Sequence, residues 1–155
     1  MSKSVIAIDP GYDRVGFALF SGETLQHSEC FVPKTKDFSE RLKAIAERIC
    51  ELTDEFKPES LAMEKLFFSN NAKTALQVAE ARGAIIVTAS QLGLPLFEYS
   101  PQEVKIAVAS VGNADKKQVI AMVERLVSLP PRKRFDDEYD AIAVGLCHQA
   151  HHRRF

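Results

Sequence analysis

The sequence lacks four features that would each point to a particular class of protein: a disulfide framework, a membrane-spanning run, a signal peptide and a strong net charge. Its three cysteines, Cys30, Cys50 and Cys147, are an odd number without metal-ligand spacing, which argues against a disulfide framework and favours a reducing compartment. Its apolar runs fall short of the roughly 20 residues that span a bilayer, and its N-terminus has no signal-peptide pattern. The formal net charge of −1 neither favours nor excludes nucleic acid as a partner. We expect a cytoplasmic protein.

The composition is that of an ordinary soluble domain. The chain has 155 residues, of which 46% are hydrophobic and 26% are charged. A chain of this length buries roughly two-thirds of its unfolded surface, so a core can form without stabilising disulfides or metal ions. We therefore predict a single domain over residues 1–155. Basic residues cluster at 116–117, 132–134 and 151–154, where solvated surface is the simplest explanation and contact with nucleic acid is the alternative.

The spacing of apolar residues predicts five strands and five helices. Short apolar or alternating runs bounded by turn residues indicate strands at 5–9, 15–20, 25–32, 60–65 and 95–99. Apolar residues three and four apart, with capping residues such as Ser100, indicate helices at 37–56, 71–92, 102–111, 116–127 and 136–151. Three strands joined by short turns favour an antiparallel meander, and two later strand–helix–strand links favour parallel pairing. The predicted fold is α/β, a mixed five-stranded sheet with helices on both faces.

Four acidic residues stand where apolar segments begin or end. Asp9 closes the first apolar run, Glu64 closes another, and Asp137 and Asp140 share one face at the start of the last helix. Carboxylates at the ends of neighbouring strands repel each other and are costly to bury unless a cation lies between them. Four such carboxylates suit two Mg²⁺ ions, which would activate water and stabilise the leaving oxygen of a phosphodiester. The pattern therefore predicts a metal-dependent nuclease.

Each of these acids, taken alone, also has an ordinary structural explanation. Asp9 precedes a Pro-Gly pair, a combination that is common in turns. Asp136, Asp137 and Glu138 would each stabilise a helix N-terminus by roughly 0.3–1 kcal/mol. Asp136 lies beside Asp137, which leaves open which of the two is the ligand, and Glu138 points elsewhere on the helix.

The ordered motifs resemble the RuvC-type Holliday junction resolvases of bacteria over nearly the entire chain. The similar segments are IDPG at 8–11, MEKLFF at 63–68, ARG at 81–83, EYSPQEVK at 98–105, GNADKKQV at 112–119 and DEYDA at 137–141. The first of these alone would not be specific, because actin-like kinases and other ribonuclease H-like proteins begin similarly. All six in this order are highly specific.

The resemblance implies a ribonuclease H-like fold and a homodimer that nicks symmetry-related strands of a four-way DNA junction during recombination and repair. It implies two Mg²⁺ or Mn²⁺ ions per active site, products with a 5′-phosphate and a 3′-hydroxyl, and a partner complex of RuvA and RuvB. The implied catalytic and metal-binding residues are Asp9, Glu64, Asp137 and Asp140. The implied DNA-binding residues are Phe67, Lys105 and Lys116, of which Phe67 would stack on a base. Lys117, which forms a basic pair with Lys116, is a further candidate DNA-binding residue.

The helix predicted at 71–92 carries a stripe of small and apolar residues, namely Ala72, Leu76, Ala79, Gly83 and Ile86. Core packing is the ordinary explanation of such a stripe, whereas the resemblance implies that two subunits pair through it. Two other functions stay open at this point. One is a ribonuclease H-like nuclease acting on RNA or another branched nucleic acid, and the other is a junction-binding dimer that does not cleave.

Overall fold

The computed structural model describes residues 3–11, 13–65 and 72–153. Its strands are β1 (Ser4–Pro10), β2 (Val15–Ser21), β3 (Thr24–Phe31), β4 (Ser60–Glu64) and β5 (Leu96–Tyr99). They form one sheet in the order β3-β2-β1-β4-β5. The first three strands pair antiparallel, whereas β1 pairs parallel with β4 and β4 pairs parallel with β5. The mixed five-stranded sheet predicted from the sequence is confirmed.

The helices are α1 (Phe38–Phe56), α2 (Ala72–Gln91), α3 (Pro101–Ala109), α4 (Lys116–Leu126) and α5 (Asp136–His151). Ser100 caps α3 as expected, because its hydroxyl accepts from the backbone of Glu103 and the Glu103 carboxylate accepts from the backbone of Ser100. This helix ends two residues sooner than predicted, because Ser110 adopts the left-handed conformation with φ 65°. No helix in the described part of the chain is long and apolar enough to cross a membrane.

The sheet is covered on both faces, as the alternation of side chains along its strands requires. Ile6, Ile8 and Phe17 point to the face that α1 and α2 cover. Val5 and Ala7, one residue out of step, point to the face that α3, α4 and α5 cover. The carboxyl ends of β1 and β4 and the first turn of α5 therefore lie at the same edge of the sheet.

Close packing of α5 on the sheet requires glycine at two positions. A Cβ on Gly16 of β2 would lie 1.9 Å from the main-chain oxygen of Asp137. A Cβ on Gly145 of α5 would lie 2.4 Å from Cε2 of the buried Phe20 ring. Because neither approach leaves room for a side chain, these glycines set the depth at which α5 rests on β1 and β2.

Candidate active site

Asp9 and Glu64 lie side by side at the ends of neighbouring strands. Ile8 of β1 pairs with Met63 of β4, so the two acids are the next residues along this parallel pair. Both carboxylates line a cavity of about 230 Å³ at the edge of the sheet. The arrangement expected from the two apolar runs, two acids meeting at strand ends, is thus present in the fold.

Asp137 brings a third carboxylate to this edge from the first turn of α5. Its Oδ2 atom lies 3.4 Å from where a Cβ on Gly11 would stand, so the carboxylate rests on the turn that follows Asp9. Arg14 Nε donates to Asp137 Oδ1 at 3.0 Å, and the Arg14 guanidinium lies 4.3 Å from the centre of the Phe135 ring. This arginine balances the charge of Asp137 at the mouth of the site.

Asp140, one helical turn further along, receives the amine of Lys116. The Lys116 Nζ atom donates to both carboxylate oxygens, at 2.6 and 2.7 Å. Glu64, Lys105, Lys116 and Asp140 line a second cavity of about 370 Å³, and Glu64 is common to both cavities. Lys117 follows on the same helix and is exposed. Two of the lysines expected from the sequence, Lys105 and Lys116, therefore stand with the acids.

The electrostatics of these acids reflect how closely they are gathered. Burial raises the pKa of Asp9 well above its usual value, and the charges of Asp140, Asp137 and Glu64 raise it further. Burial also raises the pKa of Glu64, with Asp140 as the next cause. The pKa of Asp140 is raised by burial even though Lys116 opposes the shift. Asp9, Glu64 and Asp140 thus share one poorly solvated site in which burial and neighbouring carboxylates disfavour their charged forms.

The donor set fits a hard divalent cation in its chemistry. All four side chains offer carboxylate oxygens, the ligands that Mg²⁺ and Mn²⁺ prefer, and a cation would relieve their mutual repulsion. In the conformation seen here, Arg14 and Lys116 hold Asp137 and Asp140 by ion pairs. Among residues 3–11, 13–65 and 72–153, no three His, Cys, Asp or Glu side chains converge tightly enough to form a ready-made metal cluster.

Three consecutive acids, Asp136, Asp137 and Glu138, open α5, and each has different surroundings. Asp136 is exposed, whereas Asp137 is half-buried and acts on the charge of Asp9, which favours Asp137 as the site residue. Glu138 is 1% exposed and accepts from Arg132, Arg134 and Ser28. Arg134 is therefore a buried partner of Glu138, whereas Arg132 pairs with the same carboxylate from the surface, with its side chain 46% exposed.

One predicted site residue lies outside the described part of the chain, and two arginines at the site were not predicted. Phe67 lies outside the residues that the structure describes. Arg14 and Arg82 were not predicted, although both line or contact the acid site. The ARG segment at 81–83 was the available signal for Arg82, whereas Arg14 carries no comparable signal because its partner, Asp137, is 123 residues away.

The fold and the site together define a class of protein. A mixed sheet in the order β3-β2-β1-β4-β5, with acids at the ends of β1 and β4 and on the last helix, is the arrangement typical of nucleases of the ribonuclease H-like type.

Comparison with known proteins gives the family. The family model described as "Crossover junction endodeoxyribonuclease RuvC" matches residues 5–148. The chain is 44% identical over 149 residues to the protein of that name from Moorella thermoacetica, covering 93% of this chain and 89% of the relative. The corresponding protein from Pseudothermotoga lettingae is 39% identical over 151 residues, covering 94% and 93%.

A solved structure described as "T. thermophilus RuvC in complex with Holliday junction substrate" superimposes with a TM-score of 0.84 at 32% identity. The match covers 94% of this chain and 92% of that one. The chain belongs to the RuvC family of crossover junction endodeoxyribonucleases.

Proposed function

We propose that this chain is a metal-dependent endodeoxyribonuclease that resolves Holliday junctions by nicking symmetry-related DNA strands in recombination and repair. The observation that carries the proposal is the meeting of Asp9, Glu64, Asp137 and Asp140, from three separate elements, at one edge of the sheet. Family membership gives the substrate class, because the Thermus thermophilus relative is described in complex with a Holliday junction.

Mg²⁺ or Mn²⁺, two ions per site, is the proposed cofactor. When bound, such ions supply positive charge that polarises the scissile phosphate and lowers the pKa of water. Asp9 and Glu64 would hold the ions from the sheet, and Asp137 and Asp140 would do so from α5. On binding the ions, Asp137 and Asp140 would give up their ion pairs with Arg14 and Lys116. The Arg14 guanidinium and the Lys116 amine would then be free to contact the DNA backbone.

The basic residues around the site have proposed roles in binding the substrate. Lys105 and Lys116 line the cavity that they share with Glu64 and Asp140, so their amines are within reach of a phosphate there. Lys117 is exposed on the same helix and would contact the backbone further out. Phe67 is proposed to stack on a base of the opened junction.

The proposed function is tested by nicking of a synthetic four-way junction in Mg²⁺ or Mn²⁺. We expect Asp9→Asn and Asp137→Asn to lose at least about 100-fold in rate, because each removes a carboxylate that holds the metal charge. Asp136→Asn is the matched control, since it makes the same change in the adjacent exposed residue and should nick normally. Full activity of Asp9→Asn would remove that residue from the mechanism.

A homodimer formed through α2 is proposed because a symmetric junction needs two equivalent sites. Leu76 and Val87 of this helix are 63% and 56% exposed. Gly83 lies on the same side, and a Cβ there would meet nothing within 4 Å. Leu76→Glu should shift the sedimentation coefficient to that of a monomer and abolish paired nicks. Ile106→Glu, on the 54%-exposed apolar residue of α3, is the matched control and should leave the dimer intact.

The two rival functions predict different outcomes with the same protein. A nuclease for RNA or other branched nucleic acid would cleave an RNA–DNA hybrid or a three-way branch at least as fast as the four-way junction. A non-cleaving dimer would bind the junction and leave it whole.

A RuvA–RuvB complex is proposed as the partner. A cytoplasmic location is also proposed, because all three cysteines are free thiols.

A further inference from the structure

A buried arginine stands behind Glu64. Arg82 lies in the middle of α2, and its side chain is 9% exposed. Its Nη1 atom donates to the main-chain oxygen of Glu64 at 2.6 Å, and its Nη2 atom donates to Glu98 Oε2 at 2.5 Å. The same side chain lines the 230 Å³ cavity that Asp9 and Glu64 share.

Stability alone does not account for an arginine at this position. Ala81, Ile85 and Ala89 are buried on the same helix and form an apolar face, and the buried Thr88 beside them bonds within the helix, to the Ala84 oxygen. Arg82 has one carboxylate partner, Glu98, whose side chain is 34% exposed. Removing a guanidinium from water for such a pair gains little or nothing over an apolar side chain of similar volume.

The two acceptors of Arg82 belong to paired strands at the point where the ladder ends. Glu64 of β4 pairs with Tyr99 of β5, and the Lys65 amide donates to the Tyr99 oxygen at 2.7 Å. Glu98 precedes Tyr99. Arg82 therefore ties the last residue of β4 both to β5 and to α2, at the peptide whose orientation sets where the Glu64 carboxylate points.

We propose that Arg82, held in place by Glu98, is a positioning residue that fixes the main chain at Glu64 so that its carboxylate faces Asp9 and Asp140. This inference rests on the proposed function, in which Glu64 holds metal. It also connects the acid to α2, whose exposed side carries Gly83 and the proposed subunit contact. The arginine touches neither the metal nor DNA in this role.

The test uses the full chain with Arg82→Gln, Arg82→Lys and Glu98→Gln, and with Arg125→Gln as the matched control on the exposed side of α4. Four quantities are measured: Mn²⁺ affinity without DNA by electron paramagnetic resonance, junction affinity, single-turnover nicking rate, and melting temperature. Residues that orient metal ligands typically change metal affinity or activity about 10–100-fold. We expect that loss in Mn²⁺ affinity and nicking rate for Arg82→Gln, with junction affinity within about twofold of wild type.

Arg82→Lys keeps a donor for the Glu64 oxygen and should recover part of both losses, whereas Arg125→Gln should match wild type. Glu98→Gln should fall between wild type and Arg82→Gln. Wild-type Mn²⁺ affinity and nicking in folded Arg82→Gln would overturn the proposal, as would a parallel loss of junction affinity, which would make Arg82 a DNA contact. If Arg82→Gln does not fold, wild-type behaviour of Glu98→Gln overturns it instead. A wild-type protein that nicks no junction would refute the proposed function separately.

Discussion

Gly16→Ala is the substitution for which the structure predicts the most specific outcome. The added Cβ would lie 1.9 Å from the Asp137 main-chain oxygen, 2.5 Å from its carbonyl carbon and 3.2 Å from the Ala141 Cβ. Ordinary contact begins at 3.4 Å, so the two elements must separate by about 1.5 Å, the difference between 3.4 and 1.9. The clashing atoms are backbone, so no rotamer change relieves them.

Two losses follow from this displacement. Overpacking of this kind costs about 1–3 kcal/mol in the free energy of unfolding. Asp137 is carried on the displaced turn, and a misplacement of about 1 Å lowers an enzyme's rate about 100-fold. We therefore expect Gly16→Ala to nick junctions at about one-hundredth of the wild-type rate at a temperature at which it is fully folded.

Gly145→Ala is the matched control, because it makes the same change on α5 but meets the ring of Phe20 rather than backbone. It should destabilise the protein, but the clash lies about two helical turns beyond Asp137, so the first turn of α5 moves less and nicking by the folded protein is largely retained. Urea unfolding and single-turnover nicking give the two measurements. A Gly16→Ala protein with wild-type stability and wild-type nicking would refute the packing argument.

Three other predictions concern residues beyond this contact. Glu138→Ala leaves the buried Arg134 without its carboxylate and should lower the free energy of unfolding by about 3–5 kcal/mol, measured in urea. Burial, and then the nearby His152, lower the pKa of His148 from 6.5 to about 4, so the unfolded chain takes up a proton first. The free energy of unfolding should be at its full value above pH 6.5 and fall by about 3 kcal/mol between pH 6.5 and 4. His148→Gln should remove this dependence of stability on pH. Lys105→Gln should lower the slope of log junction affinity against log salt concentration by about one, the value for one lost phosphate contact, as measured by fluorescence anisotropy.

The elements of the fold were predictable because local patterns determine them. The apolar run before Asp9 and the run before Glu64 are both short and continuous, which is the pattern of strands buried on two faces. The N-terminal cap of α3 is likewise encoded locally, by the four consecutive residues from Ser100 to Glu103. Position in the sheet then follows from connection rules, so the meeting of Asp9 and Glu64 needed no knowledge of side-chain contacts.

The ion pairs around the site could not be predicted in the same way. Lys116 and Asp140 are 24 residues apart, and Arg14 and Asp137 are 123 apart, so nothing local marks them as partners. Arg132 and Arg134 appeared to be surface charge because the acid that binds them, Glu138, is identified only once α5 is docked. The first two pairs depend on the packing of distant segments, whereas the pairs with Glu138 join residues four and six apart and depend on Glu138 being buried when α5 docks.

The most direct test of the acid site is an anomalous-diffraction map from crystals soaked in Mn²⁺. We expect Mn²⁺ between Asp9 and Glu64 on the sheet side and Asp137 and Asp140 on the α5 side, with Arg14 and Lys116 turned away from the two aspartates. Absence of Mn²⁺ from this edge under conditions that support nicking, or binding of Mn²⁺ elsewhere in the fold, would contradict the assignment of the four carboxylates.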